Sequence, residues 1–361
     1  MRVLLRIGLL TLGFGALCAA IVLNRRRLLA VANRASSATA SSSRGPVAGD
    51  ASSALHSAFT EQPSRNTRVV VSVLRAVGAV TDSLGIDFGT QIAPLLAFDH
   101  PPSFAVSKLN VHRDDSAGLP AYFLRPANPS ANYVVALHGG AYVVQPTINH
   151  WSAYAELARR TRATVIVPIY PLASTSRGRA QTVIPDIADL ISAQITQHGS
   201  DNVSVYGDSA GGGMALSVAQ LLVSRGDPTP GRMVLISPWV DVTMSNPATA
   251  WIDDPVLRTA SLRCAGQKWA GELSLIDPLV SPIYGALEGL PPTAVYCGNR
   301  DLLAADVLRL QAQALATPAS DFTFTLRNGA IHDWAMGGVI KSPESAAIQR
   351  DIYKQLGLTG R

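Results

Sequence analysis

The run Val203-Ser204-Val205-Tyr206 is apolar enough to be a buried strand, and it ends in Gly207-Asp208-Ser209-Ala210-Gly211 just before a helix-like stretch that begins at Gly212. A strand, a sharp turn and a helix in that order constrain the fold more than any other feature of the chain. Such a turn forces its central residue, Ser209, into a strained backbone conformation that lifts the hydroxyl clear of the sheet. Glycine on both sides removes the side chains that would collide there. An ordinary tight turn with Ser209 capping the following helix gives the same five letters. The rest of the chain decides between a structural turn and an exposed nucleophile.

Upstream, Tyr133-Val134-Val135-Ala136-Leu137 reads as a second buried strand, and it runs into His138-Gly139-Gly140-Ala141-Tyr142. A serine hydroxyl that attacks an acyl carbonyl produces a tetrahedral oxyanion, which needs backbone N–H donors fixed in advance. Consecutive glycines let the main chain come that close. The expected oxyanion hole is the Gly139-Gly140-Ala141 loop with Ala210, in which Gly140, Ala141 and Ala210 donate and Gly139 shapes the turn. Taken alone, the segment also fits a flexible loop at a strand end.

A general base and the carboxylate that orients it complete such a site, and both are expected after the serine. Of seven histidines only His332 follows Ser209. The apolar run Thr293-Ala294-Val295-Tyr296-Cys297 leads into Gly298-Asn299-Arg300-Asp301, which delivers a carboxylate at a strand end. Phe322-Thr323-Phe324-Thr325-Leu326 alternates at period two, and the loop from Arg327 to Ile331 carries the chain to His332. Groups at the carboxyl ends of parallel strands converge on one crevice. Asp306 competes with Asp301 for the acid but is expected on the following helix, pointing elsewhere, and Asp321 is a more remote third. A loop histidine and a helix-capping aspartate are the bland readings of His332 and Asp301, and neither explains their shared placement after strand candidates.

From about residue 106 to residue 355 the chain resembles the hormone-sensitive-lipase-like carboxylesterases of the α/β-hydrolase superfamily. The resemblance rests on the His138-Gly139-Gly140-Ala141-Tyr142 loop, on Tyr170-Pro171-Leu172-Ala173, on Gly207-Asp208-Ser209-Ala210-Gly211-Gly212 and on Asp301-Leu302-Leu303-Ala304-Ala305-Asp306. It implies a triad of Ser209, Asp301 and His332, with no cofactor and no metal. The chain departs from the family's commoner pattern at Ala141, where a third glycine is usual, at Leu302, where proline is usual, and at Ser174, where proline is frequent. Ala141 keeps its N–H but narrows the acyl pocket, and Leu302 costs only loop stiffness.

Strand and helix signals alternate after the leader, which argues an α/β class with a mostly parallel sheet covered by helices on both faces. Eight strands are expected, the first two, around 105–111 and 121–125, pairing as an antiparallel edge. In relatives, helices near the start of the domain and an insertion after the sixth strand cover the site. The corresponding segments here are 55–104, with a helix from Thr67 to Leu84, and 248–286, all within a catalytic domain of 55–361. Plain packing helices without substrate contact are the alternative reading of these segments.

Residues 1–34 are of another kind. Arg2 and Arg6 precede an apolar run from Ile7 to Leu23, followed by Asn24-Arg25-Arg26-Arg27. As a helix the run rises roughly 26 Å, at the short edge of what spans a bilayer. An uncleaved N-terminal membrane anchor is the favoured reading, because the nearest signal-peptidase-like site, Ala30-Val31-Ala32, lies behind the arginines. Export after cleavage is the alternative. A Ser/Ala-rich linker, 35–54, follows. Arginines on both sides leave the orientation across the membrane open.

The formal charge of +5 is not evenly spread: seven Arg and one Asp in residues 1–54 give +6, which leaves −1 for the rest. With no basic stripe interleaved with aromatics, nucleic-acid binding has no support. Cys18, Cys264 and Cys297 form neither a disulfide framework nor a metal-ligand spacing, although a Cys264–Cys297 bridge stays open if the domain is exported. The expected activity is hydrolysis of short- to medium-chain carboxylic esters, with a small-molecule or lipid ester as partner. Acyl transfer, amide or lactone cleavage, or a non-catalytic ligand-binding role remain open at this point. The oligomeric state is not read.

Overall fold

A computed structural model of the protein describes residues 59–84, 93–115, 118–339 and 341–359. The expected anchor, the linker and the first residues of the domain lie outside the described residues. Among the described residues, no helix is long and apolar enough to cross a membrane.

The strands are β1 (Leu109–Asp114), β2 (Ala121–Pro126), β3 (Tyr133–Leu137), β4 (Thr164–Pro168), β5 (Val203–Asp208), β6 (Arg232–Ile236), β7 (Thr293–Arg300) and β8 (Phe322–Ile331). They form one sheet in the order β1-β2-β4-β3-β5-β6-β7-β8. β2 pairs antiparallel with β1 and with β4, and every pairing from β4 to β8 is parallel. The helices are α1 (Arg65–Ser83), α2 (Ile148–Thr161), α3 (Ala180–His198), α4 (Ser209–Arg225), α5 (Thr259–Ala270), α6 (Ala304–Ala316) and α7 (Pro343–Gln355).

The central strands are runs of Val, Ile, Leu and Ala because both of their faces are buried, as parallel strands between helix layers require. Successive residues feed opposite cores. Val135, Val205, Leu235 and Val295 join Ile184 and Ile187 of α3, Met214 of α4 and Leu310 of α6 in one apolar cluster. Val134, Tyr206, Val234 and Ala294 join Trp151 and Tyr154 of α2 and Ile352 and Tyr353 of α7 in the other. The α/β class, the antiparallel edge and the helix layers on both faces are thus as the alternating signals predict.

Several boundaries differ. The first strand starts at Leu109 and not near residue 105, because the Ala105 and Val106 N–H groups turn back onto the Pro102 carbonyl. The eighth strand does not stop at Leu326 but continues to Ile331, where Arg300 faces Ile331 across a register shift. Asn328-Gly329 reads as a turn in sequence, yet it lies inside this strand. Gly329 takes φ 71, and its N–H is held by Asn299 Oδ1 at 2.7 Å. The helix after Ser209 starts at that residue, not at Gly212. No bridge joins Cys264 and Cys297: both are free, Cys264 exposed and Cys297 buried in β7.

Helix α1 is fastened at two points. At its start, Ser64 N–H (2.6 Å), the Ser64 hydroxyl (3.1 Å) and the Thr67 hydroxyl (2.7 Å) all donate to the Glu344 carboxylate of α7. Burial works against that charge, but these donors outweigh it and hold Glu344 down at about 2. Further along, Arg75 pairs with Asp253, which also takes Arg300 Nη1 at 2.9 Å. Gly78 packs so closely on the same loop that an added Cβ would stand 3.1 Å from Arg258 Nη2. The two segments expected to cover the site, α1 and the 248–286 insertion, therefore meet each other.

Candidate active site

Ser209 stands between β5 and α4 with φ 51, a left-handed conformation that costs a residue with a Cβ on the order of 1–3 kcal/mol. The surroundings impose it. The Ser209 carbonyl accepts the Trp239 N–H at 2.8 Å, and α4 begins hard against β3. A Cβ on Gly211 would lie 2.0 Å from the Leu137 carbonyl oxygen, so only glycine permits this approach.

His332 follows β8, and its Nε2 lies 3.0 Å from Ser209 Oγ. Its Nδ1 lies 3.0 Å from Asp301 Oδ2, at the end of β7. The carboxylate accepts only, so in the neutral ring Nδ1 carries the proton and the Nε2 lone pair faces the hydroxyl. Asp301 is fully buried, and its other oxygen accepts the Leu303 N–H at 2.9 Å. Asp306, the competing acid, sits on α6 and bonds Asn246 Nδ2 at 2.9 Å. Burial pushes its carboxyl up to about 6. The structure therefore brings Ser209, His332 and Asp301 together and leaves Asp306 apart.

The loop after β3 has three consecutive residues at positive φ: Gly140 (110), Ala141 (51) and Tyr142 (63). The Val143 and Val144 N–H groups fold back onto the Gly140 carbonyl at 2.9 and 3.0 Å, which closes the turn. Among the described residues, no loop or turn hydrogen bond uses the N–H of Gly140 or Ala141. Ala210 is in the first turn of α4, where N–H groups lack intrahelical partners. Gly139 is different. Its N–H donates to Asp208 Oδ2 at 2.9 Å and is not free for an oxyanion, which leaves Gly139 within the loop as a residue that shapes the turn and not as a donor.

Aromatic side chains brace this loop. Tyr142 stacks on Trp269 of α5, with ring centres 3.9 Å apart and planes 5° from parallel. Tyr170 stacks on His138 at 4.2 Å, and its hydroxyl donates to the His138 carbonyl at 2.6 Å. Burial, with His150 facing it, lowers His138 to about 3, so its ring stays neutral. Ala173 N–H donates to the Tyr142 carbonyl at 2.7 Å. The Tyr170-Pro171-Leu172-Ala173 segment is thus a strut beneath the His138–Tyr142 loop.

A model of the alpha/beta hydrolase fold family matches residues 134–336. The chain belongs to that family. It is 44% identical over 273 residues to a triacylglycerol lipase of Mycobacterium tuberculosis, a match that covers 74% of this chain and 57% of the relative. It is 30% identical over 202 residues to an acetyl-hydrolase of Streptomyces hygroscopicus, covering 54% of this chain and 66% of the relative. The chain thus spans just over half the length of the first relative and about two thirds of the second. Its fold matches that of an esterase from the bacterial hormone-sensitive lipase family with a TM-score of 0.68 at 22% identity, covering 82% of this chain and all of that one.

Within this alpha/beta hydrolase, three further aspartates surround the site, and the sequence reading, which quoted Asp208 within the motif, gave none of them a role. Asp208, buried beside the serine, accepts Gly139 N–H on Oδ2, lies 3.0 Å from His150 Nε2, and accepts the Tyr154 hydroxyl at 3.2 Å. His150 Nδ1 accepts the Thr147 N–H, so Nε2 is the donor. Asp208 thus ties the loop before the oxyanion donors to the turn that holds the nucleophile. His150 and Tyr154 lie four apart on α2, a spacing that places both on one helix face and was the available signal. Asp254, from the insertion, accepts Leu302 N–H on Oδ2 at 2.8 Å and Val256 and Leu257 N–H on Oδ1 at 2.7 and 2.9 Å. Burial, then the nearby Asp301 charge, pushes it up to about 6. It clips the covering segment to the acid loop. Asp333 adjoins the imidazole itself.

Proposed function

We propose that the chain is a serine carboxylesterase that works through an acyl-enzyme. The observation that carries this reading is the relay Ser209 Oγ, His332 Nε2, His332 Nδ1, Asp301 Oδ2, with 3.0 Å at each contact and the serine in a left-handed turn. Ser209 Oγ bonds the ester carbonyl carbon while its proton passes to His332 Nε2, and the resulting oxyanion is met by the N–H groups of Gly140, Ala141 and Ala210. The tetrahedral intermediate then expels the alcohol oxygen, which takes the proton from Nε2. Water repeats the sequence on the acyl-serine and releases the acid. The names of the relatives, a triacylglycerol lipase and an acetyl-hydrolase, support an ester substrate.

The acyl group is proposed to be short to medium in length, because Ala141 places a methyl where a glycine would leave room. Across nitrophenyl esters from acetyl to palmitoyl, kcat/KM is expected to peak in the lower half of the series and fall steadily thereafter. A maximum at palmitoyl contradicts this assignment.

We also propose that the apolar run Ile7–Leu23, flanked by arginines, attaches the catalytic domain to a membrane. Full-length protein is expected to stay with membranes through an alkaline carbonate wash, while a chain starting at residue 55 stays in the supernatant. Full-length protein released by the wash contradicts attachment by an uncleaved segment.

A further inference from the structure

His332 Nε2 has two neighbours. Ser209 Oγ is at 3.0 Å, and Asp333 Oδ2 is at 3.3 Å. The second contact is fixed by the backbone. Asp333 takes φ 56, its N–H donates to the hydroxyl of buried Ser237 at 3.1 Å, and its carbonyl accepts the Met336 N–H at 3.0 Å. Ser237 is itself held by the Tyr296 carbonyl, which accepts its N–H at 2.7 Å. This turn folds the carboxylate back onto the ring of the preceding residue. Asp333 Oδ1 is buried and has no hydrogen-bond partner among the described residues. A carboxylate that spends neither oxygen on a structural donor, yet lies against the nitrogen that exchanges protons with the nucleophile, calls for a role in that exchange.

We propose that Asp333 is a positioning residue for the reaction: its charge holds the His332 imidazolium in place after the serine proton arrives at Nε2 and sets the pH range over which His332 works as a base. The proposal rests on the triad reading above. Asp301 already orients the ring from Nδ1, so Asp333 acts at the opposite nitrogen and on the protonated form alone.

The electrostatic surroundings agree. Burial lowers the basicity of His332, but Asp333 first, then Asp301, and Asp254 from the insertion raise it further, so the imidazole is held above the ordinary histidine range. Asp333 faces His332, Asp208, Asp301 and Asp254, and on the β5 side the Tyr206 hydroxyl; burial drives its own carboxyl up and the imidazolium draws it down, so the two groups exchange protons as a pair and Asp333 is charged when His332 is the imidazolium. The base must be neutral to take a proton, so activity rises with pH through the His332 transition. Because Asp333 raises that transition, removing its charge moves the acidic limb of kcat/KM to lower pH.

The test is the pH profile of kcat/KM for a nitrophenyl ester with Asp333→Asn, which keeps shape and removes charge, and with Asp333→Ser, which removes the contact. The limb is expected to move acidward by about one unit or more in both, a relative gain of about tenfold at a pH below both limbs. A limb at its parental position in either folded variant overturns the proposal. The parent alone also tests it: its limb is expected above the ordinary histidine value of about 6.5, and a limb at or below that value overturns the proposal even if neither variant folds. Ser209→Ala measured alongside separates the two failures. If that variant keeps parental turnover, the triad reading is wrong; if it is inactive while the Asp333 variants keep the parental profile, only this proposal falls.

Discussion

Ser209→Ala is expected to lower kcat for ester hydrolysis by on the order of 10⁶-fold, leaving only what the oxyanion donors and binding supply. No neighbouring group replaces the lost nucleophile. Ser237, the other buried serine near the base, spends its hydroxyl accepting the Asp333 N–H. Cys297 lies in β7, with its thiol pushed well up by burial and by the Asp301 charge, and so carries no reactive thiolate. The substitution removes a single oxygen atom from a turn whose strain comes from the backbone. The fold, read as the thermal midpoint, is expected to hold. Parental turnover by a folded Ser209→Ala protein contradicts the assignment.

The second large effect is expected at the acid. Asp301→Asn should lower kcat on the order of 10⁴-fold, because the carboxamide presents an N–H to His332 Nδ1 and favours the tautomer whose Nε2 already carries a proton. Asp254 does not replace it, because its two oxygens are engaged by the N–H groups of Leu302, Val256 and Leu257, and Asp333 lies against Nε2 and not Nδ1. Asp306→Asn, five residues along, is expected to leave turnover near the parent, since its carboxyl bonds Asn246 and not the imidazole. Equal losses in the two variants, or a larger loss at Asp306, would show that the acid has been misassigned. Steady-state kinetics on one nitrophenyl ester reads both.

These residues were legible in the sequence because each announces itself locally. An apolar strand, a glycine-flanked serine and a helix are consecutive in the chain, and His332 is the one histidine after the nucleophile. Asp301 needed only the end of a strand. What stayed hidden depends on tertiary approach. The Asp208 letter is visible in the motif, but that it claims the Gly139 N–H depends on β3 and β5 lying side by side, 69 residues apart in the chain. The contact of Asp254 with Leu302 joins an insertion to a loop 48 residues away. Asp333 adjoins His332 in sequence, yet its reach to Nε2 follows from a positive φ that no residue preference announces. The eighth strand was cut short for a related reason: Asn328-Gly329 has the composition of a turn, and Asn299 on the neighbouring strand, with the Thr60 carbonyl, holds it in place.

The account as a whole depends on Ser209 being an activated nucleophile in the folded protein. The most direct measurement is mass analysis of peptides from the full chain after exposure to a fluorophosphonate, which phosphonylates a serine only where a base takes its proton and N–H donors receive the new oxyanion. One adduct, on the peptide containing Ser209 and absent from Ser209→Ala protein, is the predicted result. A folded parent protein left unlabelled, or labelled at another residue, would contradict the account.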